Sequence, residues 1–431
     1  MSESEPPSRL RVAVLGCGTV GTEVVRHLVT HSDELAQRAG IGLHLCGIAV
    51  RSTGTPRDPV VPRDLLTTDA RGLIDDADVV IELLAGIDPA RELVQHALAA
   101  GKQVVSANKA VLASHGPELY QLADANGAGI FFEAAVAGAV PVVRGIRESL
   151  AGDHITRVIG IVNGTTNFIL DEMTREGSDF HDVLTRAQEL GYAEADPTAD
   201  VGGADAAAKA AILASLAFHS RVRIDDVPTT GITDVTADDV TAAADMGYVI
   251  KLLAIAESAK DAIAVRVHPA LVARDHPLAS VHGAFNAVFI EAHAAGTLMF
   301  YGPGAGGAPT ASAVLGDLVA VGRLRAAGAN PPNESNYAAL PLQPAGTVQT
   351  RYLIRLDVAD RAGVLAEIAR VVARHEVSLE SLRQVAAADG TASLVLVTHR
   401  ASEAALAAAV ADVGALGPVT AITSVLRVEG D

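Results

Sequence analysis

The sequence predicts an α/β chain: a doubly wound parallel sheet, then an α+β region, then a small β-α-β-β-α-β module. Three observations carry this. Over residues 1–150, apolar runs of strand length alternate with helical stretches. The first of those runs passes directly into GCGTVG and then a helical stretch. A Pro- and Asn-rich linker at 327–349 separates everything before it from a closing segment, 350–431, with its own strand and helix order.

At 431 residues the chain exceeds one ordinary core, so two or three domains are expected. A composition 49% hydrophobic and 19% charged belongs to a packed protein rather than a disordered one. With 3% aromatic residues and no Trp, the cores must be built from Ala, Val, Leu and Ile, which suits helices packed closely on parallel strands. The net charge of −18 and the lack of a Lys/Arg cluster argue against a nucleic-acid partner. No apolar run reaches the roughly 18 residues that span a bilayer, and residues 1–8 form a polar tail rather than a signal peptide. A cytoplasmic protein without a membrane partner is expected. Cys17 and Cys46 lie in apolar contexts as small core residues, and no zinc spacing exists.

The run LRVAVL at 10–15 has the character of a buried parallel strand, and the glycines after it have separate tasks. Gly16 permits a tight turn, Gly18 lets backbone approach a pyrophosphate, and Gly21 allows helix and strand to pack closely. The helix N-terminus then offers free N–H groups to phosphates. The plain alternative is a tight βα turn. The second strand, LHLCGIAV, ends at Arg51, where a strict NAD site would carry an acid; Arg51 can instead receive a 2′-phosphate, or be an ordinary solvated residue. Further strands are expected at 78–83, 103–107 and 130–136. SANKA follows the 103–107 strand and places Lys109 at a strand's C-terminal edge, where open α/β sheets bind ligands. In the 130–136 strand, Glu133 is followed by small residues that let carbonyls turn inward, a donor set that suits a hard cation or simply a Gly-containing turn.

The second region, 151–306, opens with ITRVIGIVNGTTNFIL, read as strand character with an NGTTN turn. Its most informative stretch is GYAEADPTADVGGADAAAK, 191–209, which gathers Glu194, Asp196, Asp200 and Asp205 before Lys209. Asp205 and Lys209 stand four apart on one helix face. Alone they could be a surface ion pair of about 0 to 1 kcal/mol. The helix they open is almost wholly apolar, however, so a site for a small cationic substrate accounts better for all five charges. YGPGAGGAP, 301–309, is too glycine-rich for an element interior and is expected to approach a ligand or another backbone. The helix behind it, 307–326, should pack back on the first domain. The closing module is ferredoxin-like in order and carries no catalytic cluster.

These motifs resemble homoserine dehydrogenase along almost the whole chain. Gly191, Tyr192, Glu194, Asp196, Pro197, Asp200, Gly203, Asp205 and Lys209 match the family's acid-rich motif, with Ala195 in place of its proline, and VNGTTNFIL, SANK and YGPGAGG also match. The resemblance implies a Rossmann-type NAD(P) domain at 1–150, a substrate and dimerisation domain at 151–306, and an ACT regulatory domain at 350–431. It implies interconversion of L-homoserine and L-aspartate 4-semialdehyde in threonine, methionine and isoleucine biosynthesis, with L-threonine as the effector and a homodimer or homotetramer as the assembly. Lys209, Lys109 and Asp205 are implied as catalytic, and Glu194, Asp200 and Asp205 as substrate ligands. NADP or NAD would meet Gly16, Gly18, Thr19, Val20, Gly21, Ala49, Arg51, Ser106, Lys109, Gly191 and Gly306. A structural Na+ or K+ would be held by Glu133 with the carbonyls of Val136, Gly138 and Val140. Two rivals compete with this reading. An ACT-bearing 2-hydroxyacid dehydrogenase needs a catalytic His–carboxylate pair, and usually inserts its nucleotide domain mid-chain. A silent amino-acid sensor would tolerate loss of the acid and lysine cluster, which here is intact.

Overall fold

The computed structural model describes residues 9–259, 261–334, 336–386 and 391–430. Its N-terminal elements are β1 (Arg9–Leu15), α1 (Thr19–Thr30), α2 (Ser32–Ala39), β2 (Gly42–Ala49), β3 (Leu66–Thr67), α3 (Ala70–Asp76), β4 (Val79–Glu82), α4 (Ala90–Ala99), β5 (Gln103–Ser106), α5 (Lys109–Ala125), β6 (Ile130–Phe131) and the single turn α6 (Val142–Arg144). There follow β7 (Ile155–Ile161), α7 (Gly164–Glu176), α8 (Phe180–Glu189), the single turn α9 (Thr198–Val201), α10 (Ala204–Phe218), α11 (Ala237–Asp245), β8 (Tyr248–Ala259), β9 (Ala262–Ala273), β10 (Phe285–Ala292), β11 (Gly296–Pro303) and α12 (Gly307–Ala326). The last stretch holds β12 (Gln349–Ala359), α13 (Val364–Arg374), β13 (Leu379–Ala386), β14 (Thr391–Thr398), β15 (Ala401–Ser402), α14 (Glu403–Gly414) and β16 (Val419–Glu429). The chain divides into two compact units, one of 1–158, 208–226 and 286–339, the other of 159–207, 227–285 and 340–431.

In the first unit six strands lie in the order β3-β2-β1-β4-β5-β6, and every neighbouring pair is parallel. Parallel pairing follows from the helical crossovers, and the strands are correspondingly apolar on both faces: Val12, Ala13, Val14 and Leu15 are fully buried. α12 belongs to this unit, with Ala311, Val314 and Leu318 sharing a core with Val24 and Val25 of α1. A Cβ at Gly322 would lie 2.7 Å from that of Ala39, so the small residue sets how closely α12 approaches α2.

Two expectations are corrected here. The strand expected at 130–136 ends after Phe131, and Glu133–Ala135 turns into a 3-10 helix. The reason is local: Glu133 donates its N–H to Asp317 at 2.8 Å, and its carboxylate accepts from the N–H groups of Val143 and Arg144 and from Arg144 Nε. The NGTTN segment is the start of helix α7 rather than a free turn, with Asn163 as its N-cap.

In the second unit β8 and β9 pair antiparallel over twelve residues, and the sheet continues as β8-β9-β16-β12-β14-β13. The closing β-α-β-β-α-β module forms as expected, with a core of Ile354, Leu356, Ile368 and Leu396 among others. It is not independent of what precedes it. β16 pairs in parallel with β9 through Arg427–Glu429 opposite Ala270–Val272. Further back along β9, Val267 exchanges hydrogen bonds with Pro228 and Thr230. Pro269, which has no N–H to donate, stands between these two partners, where neither of them calls on it for a ladder bond. Two ion pairs with little exposure tie the module down: Arg266 Nη2 to Glu429 Oε1 at 3.0 Å, and Arg355 Nη1 to Asp239 Oδ1 at 2.9 Å.

This unit also buries a lysine that its sequence does not announce. Lys251 on β8 is 2% exposed; its Nζ donates to Asn167 Oδ1 at 3.0 Å and to the carbonyl of Val281 at 2.6 Å. Burial pushes its ammonium down from 10.5 to about 8. Between those values the unfolded chain holds the proton and the folded chain does not, so stability rises with pH across that window, while below about 8 both states hold it. Relative to Lys251→Met, the wild-type free energy of unfolding should therefore gain about 3 kcal/mol between pH 8 and 10.5. Urea denaturation of both proteins measures this, and a difference that stays flat with pH contradicts it.

Candidate active site

The nucleotide loop is shaped by backbone contacts. Gly16 has φ +98° and donates its N–H to Ala49 at the end of β2. A Cβ at Gly21 would stand 2.3 Å from the Gly16 carbonyl oxygen, so no larger residue fits there. Gly18, the N-cap of α1, has open space where a side chain would be. Thr19 and Val20 begin the helix, and no acid occupies its first turn, which leaves the amide groups and helix dipole available to an anion. Arg51 is exposed after β2. Sequence reasoning missed Arg57, whose guanidinium donates to the Cys17 carbonyl at 2.8 Å and the Ser52 carbonyl at 3.3 Å, closing the segment over the glycine loop. Gly306, φ +117°, caps α12, and Gly307 meets Thr19 closely: a Cβ there would be 3.1 Å from its Cγ2. The glycine-rich loop is thus a backbone approach to the start of α1.

At the C-terminal edge of β4 and β5 lies a second feature missed from sequence. Glu82 is fully buried. It accepts from Ser106 Oγ at 2.7 Å and from the N–H of Leu84 at 2.8 Å, while Asn108 Nδ2 bridges to the carbonyls of Leu84 and Gly86. Burial pushes the Glu82 carboxyl up, against these hydrogen bonds. Asn108 also caps α5 by accepting from Val111, and this clamp sets the position of Lys109, the first residue of that helix.

In the other unit the acids converge on one amide. Asn163 is 5% exposed; its Nδ2 donates to Asp200 Oδ1 at 2.7 Å and to Asp205 Oδ2 at 2.9 Å. Its Oδ1 accepts from the Thr166 N–H at 2.8 Å and from Thr166 Oγ1 at 3.0 Å. The assignment of oxygen and nitrogen is forced, because carboxylates can only accept and a backbone N–H can only donate. Lys209 lies one helical turn beyond Asp205 on α10, in the part of that helix that belongs to the first unit, and the two are 8% and 7% exposed. They are therefore not a solvated surface pair. Gly191, φ +78°, ends α8 in the left-handed cap position. Tyr192 packs its ring 4.7 Å from Phe168, and its carbonyl accepts from Thr165 Oγ1 at 2.7 Å. Glu194 is exposed, and its carbonyl accepts from Gln188 Nε2 at 3.1 Å.

The Glu133 turn offers a hard, all-oxygen donor set. Ala137 and Gly138 adopt φ +57° and +59°, which reverses the chain between the carbonyls of Val136, Gly138 and Val140. Val140 accepts from the Val142 N–H at 2.8 Å. The carboxylate of Glu133 is anchored by Arg144 and two N–H groups, as described above. Carbonyl and carboxylate oxygens are the donor class that hard cations take. Among the described residues no group of three or more His, Cys, Asp or Glu is placed to hold a metal.

Comparison with known proteins decides the family. The homoserine dehydrogenase profile matches residues 141–319, the homoserine dehydrogenase NAD-binding domain matches 16–133, and the ACT domain matches 352–417. Homoserine dehydrogenase of Corynebacterium glutamicum is 54% identical over 433 residues, covering 99% of this chain and 97% of that one. The chain belongs to the homoserine dehydrogenase family. The crystal structure of a homoserine dehydrogenase from Thiobacillus denitrificans superposes with a TM-score of 0.91 at 40% identity, covering 98% of each chain. A hyperthermophilic archaeal homoserine dehydrogenase solved in complex with NADPH matches 72% of this chain and 97% of its own, with a TM-score of 0.60 at 28% identity. NAD-binding and ACT domains are thus present in this homoserine dehydrogenase chain, in the α/β architecture its sequence predicts.

The Asn163 amide generates a test of the geometry. Asn163→Ala removes a helix cap, worth about 1 kcal/mol, and a donor shared by two acids, worth roughly 1–3 kcal/mol more. The expected loss of stability is about 2–4 kcal/mol by urea denaturation, and a loss below about 0.5 kcal/mol would show that other groups hold the acids.

Proposed function

We propose that this chain interconverts L-homoserine and L-aspartate 4-semialdehyde, using NADP(H) and NAD(H), as a step in threonine, methionine and isoleucine biosynthesis. The observation that carries the reading is the pair of acids on Asn163 followed, one helical turn on, by the buried Lys209. Oxidising a carbinol requires a group that takes the hydroxyl proton as the C–H bond breaks. Lys209 Nζ takes it, in its neutral form, and returns it in the reverse direction; Asp205 positions that amine. The bound nicotinamide supplies or receives the hydride. Glu194 and Asp205 hold the substrate ammonium with Asp200 in support, and Lys109, at the start of α5, steadies substrate and nicotinamide.

The loop glycines Gly16, Gly18 and Gly21 with Thr19 and Val20 receive the pyrophosphate, and Ala49, Ser106, Gly191 and Gly306 complete the cofactor contacts. Arg51 grips the 2′-phosphate of NADP, while the lack of an acid at that position leaves NAD acceptable. Na+ or K+ at Glu133, Val136, Gly138 and Val140 has a structural role, since the base and the cofactor already account for the chemistry. No helix among the described residues is long and apolar enough to cross a membrane. We place the enzyme in the cytoplasm as a homodimer or homotetramer.

One steady-state series tests these assignments. Lys209→Ala should lower kcat by about 100-fold or more, and a rise in KM alone would remove its role as base. In the same assay Arg51→Ala should raise KM for NADPH and leave that for NADH unchanged. Replacing Na+ and K+ with choline should lower the Tm while turnover persists.

Regulation by L-threonine is assigned to residues 350–431. The helix α13 presents its N-terminus behind Gly363, which has φ +93° and open space around it, an arrangement able to receive a carboxylate. Deleting the module would also strip β16 from β9, so a substitution is the sharper test. Gly363→Val should weaken threonine inhibition about tenfold or more while basal kcat stays unchanged. Equal sensitivity in variant and wild type would place the effector elsewhere.

A further inference from the structure

A cavity of about 380 Å³ opens in the first unit beside α5 and α10. It includes none of the glycine loop, the acid-rich segment or the closing module. Its floor is aromatic: the rings of Tyr120 and Phe132 lie 6.0 Å apart, and the Arg147 guanidinium sits 5.5 Å from the centroid of Phe132. Arg147, Arg221 and Arg223 line it against Glu118 and Glu334, so it is locally positive in a chain of net charge −18.

Most of that charge is already matched. Glu334 pairs with Arg221 at 2.7 Å, and Glu118 with Arg91 at 3.1 Å. Arg147 is different. It is half-buried and faces the cavity, yet among the described residues no carboxylate pairs with it. Asp317 feels its charge from further off, but no carboxylate stands within ion-pair distance among the described residues, and a planar guanidinium above an aromatic ring is well suited to a carboxylate arriving in that plane. The Tyr120 hydroxyl, at the same floor, makes no hydrogen bond among the described residues and is free to donate.

We propose that this cavity binds a small organic carboxylate with a flat apolar body, its carboxylate pairing with Arg147 and accepting from Tyr120, its body lying against Phe132. The wall includes Leu112 and Ala113, one turn after Lys109, and Ala211 and Ile212, just after Lys209. A ligand here therefore bears on the helices that carry both lysines. That regulatory consequence rests on the proposed roles of the lysines; the binding itself does not.

The test is calorimetric titration of the full-length protein with 3-phenylpropionate and with its neutral isostere 3-phenylpropionamide. The acid should bind at least about tenfold more tightly than the amide, a difference of the size a charge-assisted pair supplies. Arg147→Met should weaken the acid to the level of the amide, and Arg147→Lys, which keeps charge but loses the fork, should fall between. Saturating NADPH and L-homoserine should leave the acid bound. Failure of the wild type to bind the acid, equal binding of acid and amide, or displacement by homoserine or NADPH overturns the proposal. The wild-type comparison decides the matter even if Arg147→Met does not fold.

Discussion

One amide organises the acid-rich half of this protein. Asn163 is buried with every hydrogen-bonding position of its side chain in use: two donors to Asp200 and Asp205, two acceptor sites to Thr166. A cation in the same place would hold the acids equally well and cancel their charge. A neutral amide orients them without adding a charge of its own. The same atom set caps α7, so the geometry of the acids and the start of that helix cannot change independently.

The closing module is coupled to the rest of its unit in a comparable way, through groups whose burial makes them sensitive to displacement. Arg266 faces both Glu257, at 2.7 Å, and Glu429, at 3.0 Å. Neighbouring His268 is 4.0 Å from Glu429, but burial first, and then Arg427, push it down to about 3. It stays neutral across the physiological range and contributes shape rather than charge. Arg266 is therefore a cation against Glu429 that His268 does not supplement, and any movement of β16 along β9 must separate a desolvated pair. Strand pairing and this ion pair together hold the module on β9.

Much of the fold was legible because periodicity and punctuation report on it directly. β1, GCGTVG and α1 appear where the strand–glycine–helix pattern puts them, and the closing module's order follows from its alternating strands and helices. β3 was missed since two residues carry no period, and β6 was overextended since FEAAV is apolar although Glu133 is caught by Asp317, 184 positions away. The polar residues of the interior were the hardest to foresee. Asn163 meets its acids 37 and 42 positions along the chain, and Glu82, Arg57 and Lys251 likewise become meaningful only with partners that no local pattern names. Asn163 did carry one signal: an Asn followed by Gly-Thr-Thr before an apolar run is an N-cap signature, and reading it as a turn set that signal aside.

The charge distribution also shows how a chain of net charge −18 can be built to receive a dinucleotide. A single-sign field repels a polyanion at long range, so attraction must come from groups whose reach is short. The start of α1 supplies them in the form of backbone: no acid in the first turn, open space at Gly18, and a loop held by Gly16 and Arg57 rather than by a cluster of lysines. Backbone N–H groups cannot be neutralised by a shift in protonation, and their positions follow from the packing of Gly21 on Gly16. The donors at this loop are therefore a property of the βα turn itself, which is why its glycines and the helix behind them were readable from sequence while the exposed Arg51 kept two meanings.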